Sequence, residues 1–263
     1  MENPLATLKR VSWRVLGLVP FSLLEKSEDL IQRQLGKGSG AWSTKKEAQA
    51  ISRFVKKKSL REITAIDAGA NLGDWSHELL SNFPKAQIFA FEPSKDAYEK
   101  LGRRFANIES IHCQNIALGK ENRTTKLYSD KSGSGLGSLT KRRVEHFDID
   151  FNYEEVIEVQ TLDTWLSKLG FDLTPNILKM DVEGHEFDIL LGAGETIKKL
   201  QIIQFEFGGS NIDTRTYFQD FWYFFRENNF DLFRITPGEP ILVKKYSEKD
   251  ECFRATNYLA VRK

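Results

Sequence analysis

The chain has 263 residues, 40% of them hydrophobic and 29% charged, which is the composition of a globular protein with one substantial core and excludes a disordered chain. Its 38 basic and 37 acidic side chains leave a formal net charge of +1, without the basic footprint that a nucleic-acid partner would require. Two cysteines, Cys113 and Cys252, are too few for a disulfide framework or a zinc ligand set.

In chain order, residues 1–60 read as a helical N-terminal arm. The apolar run in "MENPLATLKRVSWRVLGLVPFSLLEK" is broken by Lys9, Arg10 and Arg14 and lacks a small-residue cleavage site. It also falls short of the ~20 residues that span a bilayer, so the sequence predicts a cytoplasmic protein with no transmembrane segment. Leu5, Leu8, Val11 and Val15 share one helical face. That face suits packing against the main domain or a second subunit, and it leaves peripheral membrane contact and oligomerisation open. After a soft break at "GKGSG", a second helix is expected over 44–57, capped by Ser43 or Thr44.

From Arg61 to the end the pattern becomes that of one catalytic-size domain, 61–263. "EITAIDAG" is a strand and "GDWSHELLSNF" a helix stopped by Pro84; "AQIFAFEP" and "SKDAYEKLGRRF" repeat the pair, and "IESIHCQNIAL" is a third strand. This βαβαβ order predicts a mostly parallel sheet with helices on both faces. Residues 119–153 interrupt the rhythm with "SDKSGSGLGSLTKRR", a Gly/Ser-rich stretch of the length used for a lid or substrate-side loop. "VIEVQTLDTWLSKLG", "NILKMDVEG", "HEFDILLGA" and "QIIQFEF" resume the alternation. An aromatic helix, "YFQDFWYFFREN", leads to "FDLFRIT", "PILVKKY" and "TNYLAVRK", of which the last two are expected to pair antiparallel at the sheet edge.

The chemistry concentrates in four places. In "AIDAGANLGDW", Gly69 and Gly73 let a ligand approach the backbone where a strand turns into a helix. A pyrophosphate loop would carry a third glycine; here Asp67 precedes the loop instead. An acid at that place favours a cationic amino group, which points to S-adenosylmethionine over NAD. Glu92 ends the next strand 19 positions after Gly73, where a carboxylate can grip a ribose diol. Asn115, with the backbone at Ile116 and Ala117, offers an adenine-edge contact or forms a plain turn. "LKMDVEGHEFDILLGA" brings Asp181, Glu183 and His185 to the carboxyl end of a buried strand, and Glu206 ends the following strand, on the rim where open α/β sheets hold ligands. Helix capping competes for Glu183 and Glu186.

The stretches "IDAGANLGDWS", "FAFEPS", "NIALG", "VQTLDTWL" and "LKMDVEGHEFDILLGA", in this order, closely resemble the FkbM family of S-adenosylmethionine-dependent methyltransferases between about Ile63 and Glu206. The resemblance implies a Rossmann-like class I methyltransferase fold, with a mostly parallel seven-stranded sheet and an antiparallel C-terminal pair. It implies O-methylation of a sugar hydroxyl on a glycan or glycosylated metabolite; a nitrogen or lipid-linked acceptor, or a non-catalytic scaffold, are the alternatives. Carried onto this chain, the cofactor residues are Asp67, Gly69, Asn71, Gly73, Glu92, Asn115 and Asp181, with Ala70, Pro93, Ser94 and Ala117 beside them. Asp181, His185, Glu183 and Glu206 are the candidate catalytic groups, as base or as orienters of the hydroxyl. A divalent ion on Asp181, Glu206 and His185 would make chemical sense, but the spacing does not require one.

Overall fold

The computed structural model describes residues 19–38, 44–170 and 172–263. The apolar face expected over residues 5–15, the end of the "GKGSG" break and the Ser43 cap lie outside the described residues. The first described helix, α1 (Phe21–Gln34), buries none of its residues. It is fastened at its C-terminal end, where Arg234 Nε donates to the Leu35 carbonyl at 2.6 Å. Along its length, Arg254 pairs with Asp29 at 2.6 Å.

The second helix, α2 (Thr44–Lys57), behaves differently. It buries Ala48, Ile51, Phe54 and Val55 against the sheet, so the packed unit already includes it. Next come β1 (Thr64–Ala68), α3 (Asp74–Asn82), β2 (Gln87–Phe91), α4 (Lys95–Arg104) and β3 (Ile111–Gln114). Their side chains alternate between two cores, as the period of two in a strand dictates. Ile88 and Ala90 join Trp75, Leu79 and Leu101 on one face, while Phe89 and Phe91 join Trp165 on the other.

The stretch expected as one third strand divides. Asn115 and Ile116 break it, and β4 (Ala117–Leu118) leaves the main sheet to pair with β6 (Tyr153–Gln160), which also pairs antiparallel with β5 (Arg123–Ser129). This small sheet carries the Gly/Ser loop, held by a bridge between Tyr128 and Ser138. Then follow α5 (Leu162–Lys168), β7 (Ile177–Met180), α6 (Glu186–Leu191), β8 (Ile202–Phe207), α7 (Ser210–Thr214), α8 (Phe218–Glu227), β9 (Phe230–Arg234), β10 (Ile241–Leu242) and β11 (Thr256–Arg262).

The main sheet has the order β10-β9-β11-β8-β7-β1-β2-β3, eight strands where seven are expected because the two-residue β10 extends one edge. β10 pairs with β9, and β11 inserts antiparallel between β8 and β9. The pairing of "PILVKKY" with "TNYLAVRK" is therefore replaced. The reason is burial: six of the seven β11 residues are buried, whereas both residues of β10 are exposed. A strand apolar on both faces belongs inside the sheet. Tyr258 of β11 stacks on Phe205 at 5.4 Å, and Phe205 on Phe221 of α8 at 4.7 Å. Among the described residues no helix is long and apolar enough to cross a membrane.

Chain direction decides where a ligand can sit. From β1 the connections run outward through β2 to β3, and from β7 outward through β8, so the order reverses between β1 and β7. Ligand crevices in open α/β sheets form at the carboxyl ends of such a pair.

Candidate active site

At that switch point Gly69 leaves β1 with φ +72°, and a Cβ there would meet the Asp181 carbonyl oxygen at 1.9 Å. The tips of β1 and β7 thus approach more closely than any side chain allows. The loop is then closed by backbone: Gly69 and Ala70 donate to the Phe91 carbonyl at 3.0 and 2.9 Å. A cleft opens above it. Gly69, Asn71, Phe91, Glu92, Pro93 and Ala117 line one side; Asp181, Val182, Glu183 and His185 line the other. Ser134, Gly135, Gly137 and Leu139 of the Gly/Ser loop form its roof. The loop read from sequence as substrate-side therefore packs over both halves.

Several expected cofactor residues lie outside this lining: Asp67 and Gly73 are buried behind it, and Asn115 is exposed beside it. Asp67 is fully buried. Its carboxylate takes the Lys179 ammonium at 3.0 Å and the Ser76 hydroxyl at 2.7 Å. It therefore cannot meet a ligand's amino group; of the acids lining the cleft, Asp181 is the one with an exposed side chain, at 48%. Gly73 is needed for packing: a Cβ there would strike Phe105 and Leu101. Asn115 spends its amide on the Glu92 and Pro93 carbonyls, both at 2.9 Å. Ala70 and Ser94 are buried beside the wall, and Glu206, at the tip of the strand next to β7, is outside the cleft lining.

Glu92 has two tasks. It lines the cleft, and its two oxygens accept the backbone N–H of Asn71 at 2.8 Å and of Ser94 at 2.9 Å. Burial raises its carboxyl to about 7, against the pull of those two donors. An ionised carboxylate is the better acceptor for a diol, so cofactor binding is expected to weaken by up to about tenfold per pH unit below about 7. Glu92→Gln should remove that dependence, and Glu92→Ala should weaken binding by about 2–4 kcal/mol. Calorimetry with S-adenosylmethionine across this range checks both; an unchanged dissociation constant in Glu92→Ala sinks the ribose assignment.

On the side of the cleft formed by the β7–α6 turn, Glu183 has φ +53° and pairs with Arg142 at 2.5 Å. Arg142 also reaches Asp213 at 3.6 Å, and its side chain is 12% exposed. Burial, then the charge of Asp181, lifts the Glu183 carboxyl to about 7 against the attraction of Arg142. Burial, Asp181 and Glu183 push Glu206 well above the usual carboxylate range. Glu186 is a turn clamp, accepting from the Val182 and Gly184 N–H at 2.9 and 3.2 Å. His185 lines the cleft with Nδ1 at 2.9 Å from Asp188 and Nε2 at 3.0 Å from Thr140. Sequence reasoning missed Lys179, Arg142, Thr140 and Asp188. Of these, only the i, i+3 spacing of His185 and Asp188 was a usable signal.

Among the described residues no group of three or more His, Cys, Asp and Glu is arranged to hold a metal ion. The cleft does fit an adenosyl group carrying an amino-acid tail. Phe91, Ala117 and Leu118 give an apolar stretch of wall, Asn71 Oδ1 is buried without a hydrogen-bond partner, and the Asp181 carboxylate is exposed.

The methyltransferase FkbM domain model matches residues 67–232. Among curated proteins, the 2-O-methyltransferase NoeI of Sinorhizobium fredii is 26% identical over 56% of this chain and 64% of its own length. Methyltransferase 1 of Beauveria bassiana is 26% identical over 48% of this chain and 57% of its own length. The chain thus spans less than two thirds of the length of these relatives. Among solved structures, a TehB-like SAM-dependent methyltransferase from Corynebacterium glutamicum aligns over 91% of this chain and 99% of its own, with 10% identity and a TM-score of 0.42. The chain belongs to the FkbM family of methyltransferases, whose methyl donor is S-adenosylmethionine.

Proposed function

We propose that the protein methylates a hydroxyl of a sugar, on a glycan or a glycosylated metabolite. The observation that carries this reading is His185, an imidazole in the cleft wall whose Nδ1 is held by a carboxylate and whose Nε2 already engages a hydroxyl. A hydroxyl is a poor nucleophile and gains from a base that takes its proton as the new bond forms. The 2-O-methyltransferase name of one relative supports oxygen as the acceptor atom.

Asn71, Glu92, Ala117 and Asp181 would hold the donor, which when bound supplies a methyl group on a sulfonium whose sulfur keeps the bonding pair. His185 takes the acceptor's proton. Asp181 orients the hydroxyl, and the Gly135–Leu139 roof excludes water. Arg142 is already engaged by Glu183 and Asp213, which leaves open acid on the acceptor side, so neutral sugars suit it better than uronates or sugar phosphates.

The test is calorimetric titration with S-adenosylmethionine, followed by incubation with neutral methyl glycosides and a methyl uronate. Binding, and a mass gain of one methylene on neutral glycosides, is expected. Folded protein that binds no donor, or one that methylates only amines, overturns the reading.

A further inference from the structure

His185 precedes α6, and Asp188 follows three positions later on the same side of the turn. Asp188 Oδ2 lies 2.9 Å from His185 Nδ1, and Lys120 Nζ lies 3.3 Å from Asp188 Oδ1. Burial would raise the Asp188 carboxyl, but its hydrogen bond with His185, and the charge of Lys120, keep it below its ordinary value. An ionised carboxylate accepts and never donates. The hydrogen between the two groups therefore sits on Nδ1, and whenever the ring is neutral its lone pair is on Nε2. In that state the Thr140 hydroxyl, 3.0 Å away, donates to it.

Other charged groups are near. Asp181 and Glu183 share the cleft on the β7–α6 turn, and Arg142 follows Thr140 on the roof loop. Arg142 is occupied by Glu183 and Asp213, and Asp181 faces Lys179 at 3.7 Å. Among the described residues, Asp188 is the acid that hydrogen-bonds the imidazole.

We propose that Asp188 is a positioning residue that holds His185 as the Nδ1–H tautomer, so that Nε2 takes the acceptor's proton at the place Thr140 Oγ1 now fills. The proposal rests on the O-methylation reading. The acceptor O–H bond breaks as Nε2–H forms, the oxygen's electron pair makes the bond to the methyl carbon, and the imidazolium later returns its proton to water. Thr140 belongs to the Gly/Ser roof, so an incoming hydroxyl can replace it by a local shift of one loop. Without Asp188 the ring is free to turn its N–H toward the cleft, where it cannot act as a base.

The tautomer can be read without turnover by long-range 1H–15N NMR at alkaline pH. The chain has four histidines, and the signal lost in His185→Gln identifies the right one. Wild type is expected as Nδ1–H, with Asp188→Ala and Asp188→Asn shifting it toward Nε2–H. On neutral methyl glycosides the same variants should lose kcat on the order of 10²-fold with KM nearly unchanged. Asp188→Glu, which still offers a carboxylate, should restore most of the rate. An Nε2–H wild type, an unmoved tautomer in Asp188→Ala, or a moved tautomer with full rate overturns the proposal. A wild type that shows Nδ1–H but methylates no glycoside leaves the tautomer assignment confirmed and refutes the acceptor reading.

Discussion

Replacing Lys179 by methionine is expected to destabilise the protein by about 3–5 kcal/mol, the cost of leaving one partner of a buried ion pair alone. Lys179 is 5% exposed and Asp67 is fully buried. Its ammonium lies 3.0 Å from Asp67 Oδ1, 2.8 Å from the Gly69 carbonyl and 3.7 Å from Asp181 Oδ2. Burial alone would lower its pKa; Asp67, then Asp181, overcome that and hold it above the usual lysine value. Methionine fills the volume but leaves Asp67 with the Ser76 hydroxyl as its remaining donor. Asp67→Asn in the same chain removes the orphaned charge, so the double variant should regain part of the loss. Urea unfolding of the two single variants and the double variant checks this. A loss below about 1 kcal/mol in Lys179→Met, or strict additivity in the cycle, defeats the ion-pair account.

The same pair shows where reading the sequence stops. Apart from the third strand, which divides at Asn115 and Ile116, the strands and helices from Thr64 to Phe207 are largely legible because their apolar runs have a period and turn residues separate them. The carboxyl-end rule then places Gly69, Asn71, Glu92, Asp181, Glu183 and His185 at one cleft, and the structure brings these together. Asp67 reads as a ligand acid because its chain position gives no hint that a lysine more than a hundred residues later will meet it. Lys179 itself, between apolar neighbours in "ILKMD", looks like a strand residue with one polar exception. Arg142 and Thr140 are missed for a related reason. They lie in an aperiodic loop, and only its return over the cleft through the Tyr128–Ser138 bridge shows what they touch. The C-terminal pairing fails because the pattern of two strands says which faces are apolar and not which neighbour each will take.

Truncating His185 to alanine should lower kcat by roughly 10²–10⁴-fold while changing the dissociation constant for S-adenosylmethionine by less than about threefold. In the proposed reading His185 serves the acceptor, and it is outside the set of Asn71, Glu92 and Ala117 proposed to hold the donor. Asp181→Asn tests the complementary part. It keeps the shape and removes the one open carboxylate in the wall, so the donor would be held less tightly, and the hydroxyl would arrive less well oriented and without negative charge beside the forming imidazolium. A loss of similar order is expected. The two losses should not add in the double variant, because both residues act on the same proton. Single-turnover rates with saturating donor separate this from an effect on binding. Full rate in both single variants would move the chemistry to Glu183, Glu206 or the Ser134–Thr140 loop. The geometry ranks these lower: Glu183 is committed to Arg142 and Glu206 is outside the cleft lining, and a neutral hydroxyl on the roof loop has no pKa near that of an effective base.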